Sequence, residues 1–231
     1  MVTLPLLFQP TQQTKLKASD GVIGDEFGIS MAISGNTLVV GARRFGQVDG
    51  AAYVFTGSSM KWVQQAKLRA SDARAQNALF GTAVAIDGET VVVGSRSDQI
   101  GNNRDQGSAY VFKRTGTTWA QQQRLVADDG ASGNEFGRSV SIDGEYVVVG
   151  APKADFTEFN NGGAAYVFKR ATTTWSQQAK LTVSDPNDED LFGVSVAISG
   201  GFVTGGSIQD DDAGTSSGSA YLFRRNGTTW L

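Results

Sequence analysis

The sequence predicts an all-β fold made of four copies of one small antiparallel sheet, and three observations carry that prediction. A Phe-Gly pair opens each copy, at Phe27-Gly28, Phe80-Gly81, Phe136-Gly137 and Phe192-Gly193. A second glycine follows at a constant spacing, at Gly41, Gly94, Gly150 and Gly206. Glycine is abundant, 29 of 231 residues against 4 prolines, which suits short strands joined by tight turns. Copies of similar length imply stacked units that share buried faces, because none could bury its apolar side alone. A single domain, 1–231, is therefore expected, with units at about 27–69, 80–126, 136–182 and 192–225, the last completed by 11–17.

Each unit is read as four strands in order. The run after Phe-Gly alternates with period two, as in Thr82 to Ile86 and Ser139 to Ile142, and marks a strand with one buried face. A turn follows, such as Asp87-Gly88-Glu89 or Asp143-Gly144-Glu145, where glycine supplies the positive φ of a tight hairpin. The second strand, for example Thr90 to Gly94 (TVVVG), is continuously apolar and predicts burial on both faces. A polar segment of variable length then leads, as a surface loop, to a third strand with the pattern Ala-Tyr-Val-Phe, carried by Tyr53, Tyr110, Tyr166 and Tyr221. The fourth strand opens at Trp62, Trp119, Trp175 or Trp230 and carries Gln and Lys, as a solvated edge would.

Four such meanders set radially make a four-bladed β-propeller. The end of the chain stops where the last fourth strand should begin, and Thr11 to Leu16 (TQQTKL) has the pattern of a fourth strand with no unit before it. The N-terminal strand is thus expected to complete the last blade and close the ring.

Composition excludes several chemistries. With no Cys and no His, disulfides, thiolate and imidazole metal sites and His-based catalysis are absent. Met1 to Phe8 is apolar but too short to span a bilayer, and it lacks the charged flank of a signal peptide.

The Phe-Gly pairs, together with Gly150-Ala151-Pro152, resemble the FG-GAP repeat of integrin α-chain propellers and of bacterial surface or secreted proteins. The resemblance covers Lys15 to Trp230. It implies a propeller serving as a binding, adhesion or structural module that is not an enzyme, in an extracellular or cell-envelope setting. Integrin-type rings are larger than four blades, so a ring within one chain (a monomer), a ring shared by two chains (a homodimer) and a piece of a longer protein all remain open. Their cation sites lie in long Asp-rich loops between the first and second strands. Here those positions hold three-residue turns, so those calcium sites are not carried over.

Charge is distributed unevenly. Most of the 23 acidic residues fall in the second-to-third and fourth-to-first loops, which share one end of the blades, whereas Lys113-Arg114, Lys169-Arg170 and Arg224-Arg225 lie toward the other. An acidic end attracts cations or cationic partners and repels nucleic acid. Three readings fit it. Asp, Asn and Gly make turns and keep a repeat protein soluble; Asp210, Asp211 and Asp212 form the best local candidate for calcium; or a carboxylate pair performs hydrolysis. The expected ligand on this end is a protein or a glycan, the latter through exposed Trp in a lectin-like role. No membrane insertion is expected.

Overall fold

The computed structural model describes residues 12, 14–43, 50–58, 61–71, 78–155 and 160–231. They form sixteen strands in four separate antiparallel sheets. The first blade holds β1 (Phe27–Ser34), β2 (Thr37–Ala42), β3 (Ala51–Ser58) and β4 (Lys61–Leu68), and the second holds β5 (Phe80–Asp87), β6 (Thr90–Ser95), β7 (Ser108–Thr115) and β8 (Thr118–Leu125). The third holds β9 (Ser139–Asp143), β10 (Tyr146–Ala151), β11 (Ala164–Ala171) and β12 (Thr174–Leu181). The fourth holds β13 (Ser195–Ser199), β14 (Phe202–Ser207), β15 (Ser219–Asn226) and the two-residue β16 (Thr229–Trp230). Every sheet keeps its strands in sequence order, as a meander requires. This is the predicted propeller-type array of four blades.

Cores form between blades as much as within them. Phe80 packs in one cluster with Val39, Ala52 and Val54 of the first blade and with Val91, Tyr110 and Phe112 of its own. Its ring meets those of Tyr110 and Phe112 at 5.5 and 6.1 Å, an arrangement repeated around Phe27, Phe136 and Phe192. Burial on both faces holds for β6 along its whole length, and for most of β2 and β10. In β14 it fails on alternate residues, because no further blade covers that face.

The two motif glycines have one shared cause. Gly81 interrupts the β5–β6 register with φ of +91°, and it carries its backbone against the preceding blade. A Cβ placed on Gly41 would lie 2.2 Å from the Gly81 carbonyl oxygen; on Gly94, 2.0 Å from that of Gly137; on Gly150, 1.9 Å from that of Gly193. The Phe-Gly of one blade therefore sits on the second glycine of the blade before it, and only a residue without a side chain lets the backbones approach so closely. Where a serine stands beside the contact it reinforces it: Ser30 Oγ donates to the Gly81 carbonyl at 2.9 Å and Ser139 Oγ to the Gly193 carbonyl at 2.8 Å.

Ring closure by the N-terminal strand is not seen in the hydrogen bonding. Gln12 and Thr14–Lys17 lie outside any strand, and Thr11 and Gln13 fall outside the described residues. Instead Leu16 and Ala18 pack on the first blade's core of Val40, Tyr53 and Phe55, just as Leu68 and Ala70 pack on the second and Leu125 and Ala127 on the third. The Ser19 amide donates to Gln64 Oε1, matching Ser71 to Gln121 and Asp128 to Gln177. These apolar and amide contacts hold the segment on the blade that follows it in sequence.

Candidate functional site

The loops between second and third strands and those between blades gather at one end of the array and are joined by main-chain bonds. Gly133, Glu135 and Phe136 donate their amides to the carbonyls of Arg104, Asp105 and Gln106 in the preceding blade's loop, at 2.8 to 3.0 Å. Glu189, Leu191 and Phe192 do the same with Asn160, Asn161 and Gly162. The loops that lead into the third and fourth blades are thereby laced to the loops of the blades before them, which gives this end a defined surface.

Beneath that surface a tyrosine in each third strand reaches a loop carboxylate. Tyr53 donates to Asp20 Oδ1 at 2.9 Å, Tyr110 to Asp98 Oδ2 at 2.8 Å, Tyr166 to Asp129 Oδ1 at 2.9 Å and Tyr221 to Asp210 Oδ2 at 2.5 Å. In the first and third blades a fourth-strand lysine completes the group: Lys67 lies 2.5 Å from Asp20 Oδ2 and Lys180 lies 2.7 Å from Asp129 Oδ2. The Lys67 ammonium and the Tyr53 hydroxyl hold the Asp20 carboxyl below the usual carboxylate range. At Asp129 burial opposes ionisation, but Lys180 and Tyr166 outweigh it and the carboxyl is again lowered. Burial together with the neighbouring Asp129 drives the Tyr166 hydroxyl well above its ordinary value. These acids are held ionised as structural anchors.

Nearer the start of the first strands, Glu135 bridges two blades through Arg96 Nη1 and Lys153 Nζ, each at 2.8 Å. Burial would raise its pKa, yet the two cations lower it on balance. Asp98 is fully buried and also accepts from Ser108 Oγ at 2.7 Å.

The acidic residues of the fourth blade differ. Its third strand meets no fourth-strand lysine among the described residues, and Tyr221 is shared by Asp210 and, at 3.2 Å, Asp185. Burial and the charges of Asp210, Asp211 and Asp185 raise the Asp190 carboxyl above its ordinary value. The predicted calcium candidate lies here. Asp210 is buried, with Oδ2 accepting from Tyr221 and Oδ1 from the Asp212 amide at 3.1 Å, while Asp211 Oδ1 accepts the Ser216 amide. The carboxylates of Asp210 and Asp211 thus accept from loop amides and from the third-strand Tyr221 hydroxyl, and no group of three or more His, Cys, Asp or Glu side chains among the described residues is placed to hold a metal ion.

Three of the tryptophans proposed as sugar platforms are engaged between blades. Trp119 Nε1 donates to Gln65 Oε1 of the preceding blade at 2.8 Å, Trp175 to Gln122 at 3.0 Å and Trp230 to Gln178 at 3.1 Å. Trp175 is buried, and Arg114 and Arg170 cover the rings of Trp119 and Trp175. Sequence reasoning assigned the Gln-Gln pair to a solvated edge and missed this use; its signal was the recurrence of Gln two and three residues after Trp. Of the basic pairs, Arg114 joins two blades: it pairs with Glu89 and donates to Thr37 Oγ1 of the preceding blade at 3.2 Å.

No helix among the described residues is long and apolar enough to cross a membrane. A search of the curated proteins finds no match. The family model described as the FG-GAP repeat matches four times, at residues 10–55, 62–112, 119–168 and 175–223. Each match begins within or just before a fourth-strand pattern and ends in the next blade's third strand, so the glycine-on-glycine contacts that join the blades run between successive matches. These matches cover most of the sequence, and the chain belongs to the FG-GAP repeat family.

Proposed function

We propose that this chain is a non-catalytic binding module whose contact surface is the laced loop end of the blades and whose ligand is a cationic protein segment. The observation that carries the reading is the crowding of carboxylates in the fourth-blade loops, where the charges of Asp210 and Asp211 add to burial in raising the Asp190 carboxyl above its ordinary value. Crowded carboxylates on a fixed surface favour an incoming ammonium or guanidinium group and speed its approach. Catalysis is not favoured, because Asp20, Asp129 and Glu135 are held ionised by fixed cations rather than poised to exchange protons. A glycan is the weaker alternative, as Trp119, Trp175 and Trp230, which would stack on it, are bonded between blades. An extracellular or envelope setting accords with this reading.

Oligolysine titrated by calorimetry provides the test. Binding should weaken as salt rises, and it should weaken several-fold in the Asp211→Asn, Asp212→Asn double variant. No heat at low salt, or equal binding of oligoglutamate, would overturn the proposal.

A further inference from the structure

Each of the three internal blade contacts is built from the same parts, and the outermost blades each present one unfilled half of it. At the contact of the first and second blades, Val84 and Ile86 are 8% and 9% exposed; their counterparts on the outer face of the first blade, Met31 and Ile33, are 66% and 62% exposed. On the other side of that contact Val54 is fully buried, whereas its counterpart Leu222 on the fourth blade is 67% exposed. The backbone halves are unfilled as well. A Cβ on Gly81 would meet the Ala51 carbonyl at 2.5 Å and one on Gly193 the Ala164 carbonyl at 2.4 Å, but one on Gly28 meets nothing within 4 Å. Gly206, the counterpart of Gly41, Gly94 and Gly150, has no neighbouring carbonyl over it, only Ser195 Oγ.

We propose that the outer face of the fourth blade receives the outer face of the first blade of a second copy of this chain, head to tail, so that two copies close a ring of eight blades. The fit is specific. The Gly28 carbonyl of the incoming copy takes the place above Gly206 that Gly81 takes above Gly41, where Ser195 Oγ donates to it as Ser30 does to Gly81. The Ser199 hydroxyl meets the incoming Gly35 amide as Ser34 meets Gly88 at 3.2 Å and as Asp143 meets Gly200 at 2.7 Å. Leu222 covers Met31 as Val54 covers Val84 in the shared core. Lys15, which stands in the sequence pattern where Lys67 and Lys180 stand, is brought to Asp185, the counterpart of Asp20 and Asp129. A head-to-tail contact leaves one unfilled face at each end until rotation closes it, and eight blades lie within the size range of propellers.

Molar mass by light scattering after size exclusion, combined with charge variants of the two faces, tests this. The wild-type chain should elute at twice the chain mass, while Met31→Glu and Leu222→Arg should each elute at the single mass with unchanged far-ultraviolet dichroism. An equimolar mixture of the two variants should recover the double mass, because one contact of the mixed pair is then unaltered and the other sets the introduced carboxylate against the introduced guanidinium. A single-chain mass for the wild type throughout the micromolar range overturns the proposal. So does a double mass that both variants retain, or a mixture that stays at the single mass.

Discussion

At the scale of single residues, the blades are joined by positions where a side chain is excluded and by positions where one polar atom is required. The constant spacing of the two glycines was legible in the sequence; its purpose was not, because the carbonyl that forbids a side chain at Gly94 belongs to Gly137 in another repeat. The tyrosines follow the same division. Their recurrence marked the third strands, yet the partner of Tyr166 is a loop carboxylate 37 residues earlier, which no local pattern identifies. Tyr166→Phe should cost about 1.5 to 3 kcal/mol, the ordinary loss for a hydrogen bond to a charged acceptor, as read from urea unfolding. A change below the error of the fit would show that Asp129 is held by Lys180 alone. Asp210 offers a second check, as both its oxygens accept from the protein. Calcium added to chelator-treated protein should leave the melting temperature unchanged, and a rise would show that the loop opens to bind the ion.

At the scale of elements, the fourth strand is where sequence reasoning fell short. Its polar composition suggested an edge that repels foreign strands, but its glutamines accept from the tryptophan and the loop amide of neighbouring blades. Polar residues on a strand are compatible with both uses, and only the geometry of the next blade separates them. Gln122→Ala should therefore destabilise by about 1 kcal/mol, with the fluorescence of Trp175 shifted, since the indole loses its acceptor. A lone solubilising glutamine would give neither change. The fourth-strand lysines make the fold sensitive to acid. Asp129 has its carboxyl lowered in the folded state, so its contribution is fully present above the ordinary value of 3.8 and is lost as pH falls through the folded value. Asp190 acts in the opposite sense, its raised carboxyl costing stability near neutrality that protonation relieves. Melting temperature should accordingly drop below about pH 4, and the drop should be smaller in Asp129→Asn; an identical profile in that variant would contradict the assignment.

At the scale of the whole molecule, the array is one contact used three times, with its two halves left uncovered at the outer faces. The four-blade architecture and the strand order were legible from repetition and turn chemistry. Closure was not, because the N-terminal segment resembles a fourth strand yet Leu16 and Ala18 find apolar burial on the blade they precede. The acidic end was legible as a sum of charge, but its division into anchored carboxylates and the fourth-blade group depended on which tyrosines and lysines reach which loops. Blades that share cores should unfold together, so loss of one contact is felt by the entire array. The most direct test compares Gly94→Ala with Gly144→Ala by urea unfolding. A Cβ at Gly94 meets the Gly137 carbonyl at 2.0 Å, whereas Gly144, at φ of +57° in a turn, has open space around it. The account predicts a loss of about 3 kcal/mol for Gly94→Ala from backbone displacement, against about 1 kcal/mol for the strained turn. A Gly94→Ala variant as stable as the wild type would contradict the glycine-on-glycine contact from which the array is built.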